Sequence, residues 1–408
     1  MELNVIGAPD IEMRQIIKEI RGTLTSKEEE ITDEQALEVI EAYVLQDKRL
    51  AMRSPGENRR LVQRIFFALR RDLDILQPYI EDNRVSEIMV NGKDHIFIET
   101  GGKLEKVDLA FDTVEDLEEL IRRLAARVHR EINELHPIVD ARLEDGSRVN
   151  AVYKNIALNG PILTIRKFPQ KAIDMKALIK MGSITQEAAD FLQKLVKAGY
   201  NCFISGGTSS GKTTFLNVLS NFIPEDERVI LIEDSAELQI KQIRNLVRME
   251  CKQANVQQKG RVTMEDLIKT SLRMRPDRII VGEVRGREVM DMIQAMNTGH
   301  DGSLSTGHGN SISGMLRRLE SMFLQAADFP VDAIRSQIAE GIDIIIHLGR
   351  LSDGSRKVLE IAEIKGITNG EIETSLLFKY RPSKGLIKSS NRLVHTEKLE
   401  LRGVPLEH

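Results

Sequence analysis

The chain has few of the residues that mark secreted, zinc-binding or membrane-spanning proteins. It contains only two cysteines, Cys202 and Cys251, among 408 residues. Because they do not form a Cys-x-x-Cys pair, they argue for a reducing compartment and against a zinc module. No apolar run reaches the roughly eighteen residues that a membrane-spanning helix needs, and no charged-then-apolar leader begins at Met1. The sequence therefore predicts a protein that neither spans a membrane nor is exported by a signal peptide.

Aromatic residues and net charge are also low. Tryptophan is absent, aromatic residues make up 4% of the chain, and the formal net charge is −4 with 29% charged residues. This balance is that of an ordinary soluble protein and predicts no general affinity for nucleic acid or an anionic membrane. The length leaves room for two or three domains with their own cores. One early region is basic, which we interpret first as a solvated face: Arg49, Arg53, Arg59, Arg60, Arg64, Arg70 and Arg71.

The sequence does contain a complete phosphate-binding loop. The loop follows the apolar run from Asn201 to Ser205, so a strand would deliver it and a helix would begin at Lys212. Backbone N–H groups of its small residues can surround a β-phosphate, and the positive end of the helix points at the same anion. Lys212 would supply a charge to the β- and γ-phosphates, and the Thr213 hydroxyl a ligand for Mg²⁺. The residues predicted to bind nucleotide here are Gly206, Gly207, Thr208, Ser209, Ser210, Gly211, Lys212, Thr213 and Thr214.

Two later apolar runs end in carboxylates. The run 229–232 precedes Glu233 and Asp234, and the run 279–282 precedes Glu283. Alternating apolar strands and helices between about Ser183 and Tyr380 predict a parallel sheet covered on both sides, whose strand ends hold ligands. We therefore expect Glu233 and Glu283 beside the phosphate loop. One would orient or deprotonate the attacking water and the other would hold Mg²⁺ through its waters.

Two histidines flank a short apolar strand in the segment 298–310. A histidine at a strand end near a γ-phosphate can sense that group by hydrogen bonding and transmit the change along the strand. His308 is the better candidate for this role, whereas His300 is equally compatible with a structural one. A metal site is disfavoured because no third histidine, cysteine or carboxylate stands at ligand spacing.

The part of the chain before the phosphate loop divides into two regions. Residues 1–80 read as a helical bundle, with a capping box at Thr32 and Gln35 and a helical stripe that continues from Val62 to Leu73. The following region alternates strands with a helix capped at Thr113. A hairpin from 138 to 152 buries its apolar sets together only if its loop has an odd number of residues, and it then presents Arg142 and Arg148 on the opposite face.

Four of these motifs, in this order, resemble the secretion ATPase superfamily of type II and type IV systems. They are the loop Gly206 to Thr213 and the segments 231–238, 275–286 and 296–303, and the upstream segments 85–92 and 137–143 are similar as well. Within the superfamily, the chain is most similar to the CpaF/TadA-type motors of tight-adherence (Flp) pili. Two cysteines cannot supply the tetracysteine zinc element of many type II secretion and pilus extension motors, which favours that branch.

The resemblance implies roles for particular residues. Walker A falls on Gly206 to Thr213, the Asp box on Glu233 to Leu238, the Walker B glutamate on Glu283 and the His box on Gly299 to Asn310. The arginines that the family brings to the γ-phosphate match Arg142 and Arg148 best. Adenine would lie near the strand 164–166, where Arg166 is a candidate contact. Which of Glu233 and Glu283 activates the water, and which holds Mg²⁺ through its waters, stays open.

The resemblance also implies an α/β fold with three parts. They are a helical N-terminal domain (1–80), a PAS-like α+β domain (81–168) and, after a linker (169–184), a RecA-like ATPase domain (185–408). The tail 381–408 is expected to be flexible, and 406–408 looks like an expression-tag remnant.

The function implied by the resemblance is that of a Mg²⁺-dependent, homohexameric ATPase motor on the cytoplasmic side of the inner membrane. It would act on an integral platform protein and drive assembly of a tight-adherence pilus, with retraction left open. A conjugation, type IV or type II secretion ATPase is the alternative. A nucleic-acid translocase is disfavoured because no basic groove with interleaved aromatics is present. A catalytically silent scaffold is disfavoured by the intact Lys212, Glu233 and Glu283.

Overall fold

The computed structural model describes residues 10–25, 31–47, 50, 54–71, 73–128, 130–143, 145–168, 173–252, 254 and 259–405. Arg49, Arg53, the first residues of the expected linker and the expected tag remnant lie outside these ranges. The chain separates into two compact units, Met1–Gln170 and Lys171–His408. The first unit therefore contains both the helical region and the strand–helix region.

Three helices open the first unit, and the second and third each begin at a capping box. They are α1 (Asp10–Thr25), α2 (Asp33–Gln46) and α3 (Pro55–Arg70). The expected capping box of Thr32 and Gln35 is confirmed, and Ser54 forms a second one with Glu57. The predicted stripe is too long by one turn, since α3 ends at Arg70 and Leu73 is buried in the turn that follows. A short helix, α4 (Gln77–Glu81), leads into the sheet.

A six-stranded antiparallel sheet completes the first unit. Its strands are β1 (Val85–Asn91), β2 (Ile96–Thr100), β3 (Lys103–Val107), β4 (Ile138–Arg142), β5 (Arg148–Val152) and β6 (Ile162–Arg166), in the order β3-β2-β1-β6-β5-β4. Helix α5 (Val114–Arg127) packs its apolar side into the same core and starts at the predicted Thr113 capping box.

The β4–β5 hairpin has the predicted register. Its loop spans residues 143–147, an odd number, and Arg142 lies opposite Arg148. The apolar alternation places Val139, Val149 and Ala151 in the core. The two arginines consequently share the other face of the sheet, as the sequence predicted.

The second unit is built on a nine-stranded mixed sheet. Six strands run parallel in the order β12-β7-β11-β10-β8-β9: β7 (Cys202–Gly206), β8 (Arg228–Glu233), β9 (Asn245–Glu250), β10 (Arg278–Val284), β11 (Leu304–His308) and β12 (Ile344–Arg350). The remaining three extend one edge antiparallel: β13 (Arg356–Thr368), β14 (Glu371–Arg381) and β15 (Gly385–Lys388). The prediction of a parallel sheet is correct for the centre and misses this antiparallel extension.

Helices pack on both faces of this sheet. Successive strand residues alternate between two cores, with Ile204 in one and Phe203 in the other. The helices are α6 (Met175–Lys180), α7 (Gln186–Ala198), α8 (Lys212–Ser220), α9 (Met264–Ser271), α10 (Val289–Asn297), α11 (Ile312–Ala326), α12 (Val331–Gly341) and α13 (Glu397–Leu401). Helix α6 lies inside the segment expected to be a linker. No helix in the described ranges is long and apolar enough to cross a membrane.

The end of the chain does not match the expectation of a flexible tail from residue 381. Within the described residues, β15 extends the sheet, and Leu393 and Leu399 are buried in one of its cores. Glu363, itself buried, accepts hydrogen bonds from the backbone N–H groups of Val394 and His395. The apolar residues of this segment are too widely spaced to predict a helix or strand, but they suffice to dock it.

Candidate functional site

The phosphate loop lies where the parallel strands of the second unit end. It follows β7, whose last residue, Gly206, is the register partner of His308 on β11 and Leu348 on β12. Strands β8 and β10 run in the same direction and end at Glu233 and Val284. Parallel strands place their carboxyl ends at one edge of the sheet, so the predicted motifs converge there.

The loop has a backbone conformation that depends on its small residues. Ser209 and Gly211 have φ values of +58° and +93°. A Cβ at Gly206 would meet the Ser210 side chain and lie 2.8 Å from the Leu348 carbonyl oxygen. Helix α8 begins at Lys212, so its free N–H groups face the loop. The predicted order of strand, loop and helix is thus present, with the helix N-terminus at the loop.

Lys212 is held inside this site by two acceptors. Its Nζ donates to the Gly207 carbonyl oxygen at 3.2 Å and lies 3.2 Å from His308 Nδ1. Because an ammonium group can only donate, His308 Nδ1 accepts, and the proton of the neutral imidazole is assigned to Nε2. Burial lowers the pKa of Lys212, and the nearby Glu283 opposes that shift.

Glu283 is bracketed by three side chains. Arg285 donates to its Oε2 from Nε at 2.9 Å and from Nη2 at 2.7 Å. His308 Nε2 lies 3.0 Å from Glu283 Oε1, and Lys212 Nζ lies 3.8 Å from the same oxygen. That oxygen is buried and has no hydrogen bond of good geometry among the described residues. Glu283 Oε1 is thus a buried acceptor that faces His308 Nε2 and Lys212 Nζ.

Glu233 has a different environment. Its Oε1 accepts hydrogen bonds from the backbone N–H groups of Glu237 at 2.7 Å and Leu238 at 2.9 Å. Burial raises the pKa of Glu233, and these backbone bonds oppose the shift. A Cβ at Gly282 would lie 3.3 Å from Glu233 Cγ, so the side chain packs against the strand that carries Glu283. Glu233 therefore fixes the segment after its own strand through backbone hydrogen bonds, whereas Glu283 accepts from the Arg285 side chain.

The two histidines have different surroundings in the structure. His308 ends β11 and links Lys212 to Glu283, whereas His300 Nδ1 lies 3.2 Å from the Ala295 carbonyl oxygen at the end of α10. Burial lowers the pKa of His308, with Glu283 opposing the shift. His308 is therefore held mainly neutral, in the state that can accept from Lys212 and donate from Nε2.

The predicted arginines form a row in the first unit. Arg142 on β4 is the register partner of Arg148 on β5, and Arg148 is the partner of Arg166 on β6. Arg166 is followed in the row by Glu87 on β1. The three arginines therefore lie in one line across adjacent strands, on the same face of the sheet. The Arg142 guanidinium also lies 5.9 Å from the centre of the Phe168 ring.

The residues at the loop fit a magnesium nucleotide. Thr213, in the first turn of α8, is partly exposed beside the loop, and Thr208 and Ser209 are exposed. Ser210 Oγ and Glu283 Oε1 are buried without a hydrogen-bond partner in the described part of the chain. A hydroxyl, two carboxylates and unpaired helix N–H groups are the donor set that Mg²⁺ and phosphates require.

Sequence reasoning missed Arg285 as a site residue. Its position two residues after Glu283, at the end of β10, allows its side chain to return to the same carboxylate. A second contact, 3.6 Å from Asp234 Oδ2, joins the ends of β8 and β10. The spacing of two residues between Glu283 and Arg285 could have indicated this contact, but the sequence prediction for the Walker B segment included only the glutamate.

Comparison with known proteins adds to this geometry. The sequence profile described as "Type II/IV secretion system protein" matches residues 70–382. The chain belongs to this family. With its intact phosphate loop and acidic strand ends, this member of the secretion family is an enzyme that hydrolyses ATP.

Two relatives of this secretion-family chain are named for conjugal transfer and for type IV secretion. It is 32% identical over 305 residues to the conjugal transfer protein TrbB of Rhizobium radiobacter, covering 74% of this chain and 90% of the relative. It is 29% identical over 315 residues to the type IV secretion system protein PtlH of Bordetella pertussis, covering 71% and 93%. In fold it is similar to the ATPase DotB of Legionella pneumophila, with a TM-score of 0.51, 21% identity, and coverage of 70% of this chain and 78% of that one.

Proposed function

We propose that the second unit binds ATP with Mg²⁺ at Gly206 to Thr214 and hydrolyses it with Glu283 as the residue that orients and deprotonates water. The observation that carries this proposal is the chain of contacts from Lys212 through His308 to Glu283 at the phosphate loop. This chain connects the residue that meets the phosphates with the residue that meets the water.

Nucleotide binding would rearrange this chain of contacts. Lys212 leaves the Gly207 carbonyl oxygen and His308 Nδ1 for the phosphate oxygens, which are stronger acceptors for an ammonium group. His308 Nδ1 then loses its donor, and the Nε2–H of the imidazole is the group that can donate to a γ-phosphate oxygen. Because His308 ends β11 next to β7, its shift can be transmitted along the sheet. Thr213 would be a ligand of bound Mg²⁺ and Glu233 or Glu283 would hold its waters, and the ion would supply charge neutralisation at the phosphates.

The arginine row of the first unit would complete the site when the two units close. Arg142 and Arg148 would contact the γ-phosphate, and Arg166 would lie near the adenine and ribose. The register of the three arginines supports this role, because it places three guanidinium-bearing side chains on one face of the sheet. Closure on ATP and opening after hydrolysis would supply the movement that a motor needs.

The motor would assemble as a homohexamer at the cytoplasmic face of the inner membrane and act on an integral platform protein. We place it in a tight-adherence pilus system, on the resemblance of its motifs to the CpaF/TadA branch. Repeated contacts from a ring give the combined affinity that such docking requires.

A conjugation or type IV secretion system is the second candidate. The observation that favours it is the naming of TrbB and PtlH, two relatives that this chain matches over most of their length. Both candidates use the same ATPase cycle and differ in the machine that the motor drives.

The experiment uses Glu283→Gln in the full chain and in cells of the source organism. The variant should bind ATP, hydrolyse it at less than about a hundredth of the normal rate, and abolish surface pili. Membrane co-purification should recover a multi-span platform protein. Recovery of DNA-transfer components with piliation unchanged would replace the pilus assignment with the conjugation one. Normal turnover by the variant would remove Glu283 from the proposed role.

A further inference from the structure

A hairpin that the sequence motifs did not include lies beside the phosphate loop. Strands β12 and β13 form it, and Leu348 on β12 is the register partner of Gly206 at the start of the loop. The hairpin turn closes through a 2.8 Å hydrogen bond from the Leu351 N–H to the Ser355 carbonyl oxygen. The first residue of β13 after this turn is Arg356.

Arg356 lies along the phosphate loop. Its Nε donates to the Ser209 carbonyl oxygen at 2.9 Å. Its Cδ is 3.3 Å from the position that a Cβ would occupy at Gly211. Ser209 and Gly211 are the two loop residues with positive φ, and at Ser209, which is not a glycine, this conformation is unfavourable for the backbone. The contact therefore stabilises the phosphate-binding conformation of the loop.

The charge on Arg356 has no carboxylate partner among the residues that the structure describes. Within the described ranges it makes no ion pair, and its side chain is exposed. It lies opposite Arg350 across the hairpin, so two cationic residues are in register there. A guanidinium has five N–H donors, of which the Ser209 bond uses one. The arrangement leaves a cationic fork at a loop that already holds Lys212.

We propose that Arg356 is a second cationic residue of the phosphate site. Its Nε–H bond to Ser209 positions the loop, and its remaining donors contact the polyphosphate of the bound nucleotide, as a planar fork does with phosphate oxygens. This inference rests on the nucleotide site proposed above. It assigns to the antiparallel edge of the sheet a role in binding a nucleoside di- or triphosphate.

The test compares Arg356→Ala and Arg356→Lys with Lys357→Ala. Lys357 is the matched control because it is adjacent, carries the same charge, and donates instead to the Met181 and Gly182 carbonyl oxygens at 3.2 and 2.8 Å. Affinities for ADP and for inorganic pyrophosphate are measured by calorimetry at several salt concentrations. Arg356→Ala should weaken both about tenfold and flatten the salt dependence, because a charged contact is screened by salt. Arg356→Lys should recover part of the loss, and Lys357→Ala should match the wild type.

Three results would overturn the inference. If Arg356→Ala binds ADP and pyrophosphate with wild-type affinity, Arg356 does not contact the polyphosphate. Weaker ADP binding with unchanged pyrophosphate binding would place Arg356 against the nucleoside. Weaker binding of both ligands with an unchanged salt slope, together with a lower unfolding midpoint than Lys357→Ala, would make it purely structural. Lys212→Ala serves as the control for the site itself: if that variant still binds ADP normally, the proposed nucleotide site is wrong, whatever Arg356 does.

Discussion

Replacing Glu233 by Ala or by Gln separates its structural role from a catalytic one. The carboxylate accepts two backbone hydrogen bonds, of which the one from the Leu238 N–H is buried. Bonds to a charged acceptor contribute about 1.5–3 kcal/mol each, and burial of the carboxylate, seen in its raised pKa, offsets part of this. Glu233→Ala should therefore lower the free energy of unfolding by about 3 kcal/mol. Glu233→Gln keeps an acceptor oxygen and should lower it by about 1 kcal/mol or less.

Urea unfolding and phosphate release at saturating ATP measure the two roles in parallel. Glu283→Gln is the matched control, since it makes the same chemical change at a carboxylate that accepts from side chains rather than from the backbone. It should unfold like the wild type and lose turnover by about 100-fold or more. The reasoning is refuted if Glu233→Ala is as stable as the wild type. It is also refuted if Glu233→Gln is stable and loses turnover as fully as Glu283→Gln.

Two further predictions concern the first unit. Replacing Arg142 or Arg148 by Ala should lower the maximal rate of ATP hydrolysis far more than the affinity for ADP, because ADP lacks the γ-phosphate. Steady-state kinetics and ADP titration measure the two quantities. Equal losses in both would show that the two arginines are structural. Burial raises the pKa of Asp74 to about 6 from 3.8, so its contribution to stability is fully present below pH 3.8 and is lost as pH rises through about 6. Asp74→Asn, which tolerates the φ of +50° at this position, should therefore be more stable than the wild type by about 2–3 kcal/mol at pH 8 and equal to it below pH 4. Urea unfolding at the two pH values checks this, and an equal gain at both would contradict it.

The features that sequence alone predicted are those encoded by neighbouring residues. The phosphate loop is one continuous motif between a strand and a helix, and the capping boxes of Thr32 and Thr113 need only four residues each. The hairpin register followed from the alternation of apolar residues and the parity of its loop. Features of this kind can be predicted without knowing how the rest of the chain folds.

The features that were missed depend on contacts between distant segments. Arg356 reaches Ser209 across 147 residues, and its neighbours in sequence carry no phosphate-binding signal. The backbone bonds of Glu233 are an exception, because they join residues four and five positions apart; they depend on the path of the segment after β8, which a motif that only marks Glu233 as acidic does not give. The docking of the chain's end on Glu363 likewise follows from the antiparallel extension of the sheet, whose strand order is a tertiary property.

ATP hydrolysis by Lys212→Ala is the most direct test of the central claim that the loop from Gly206 to Thr214 is the ATPase site. Lys212 contributes charge to the phosphates and little to the packing of the core, so the variant should keep the unfolding midpoint of the wild type. Its turnover should fall below a measurable level in a phosphate-release assay. Retention of more than about a tenth of the wild-type rate by a folded variant would contradict the account.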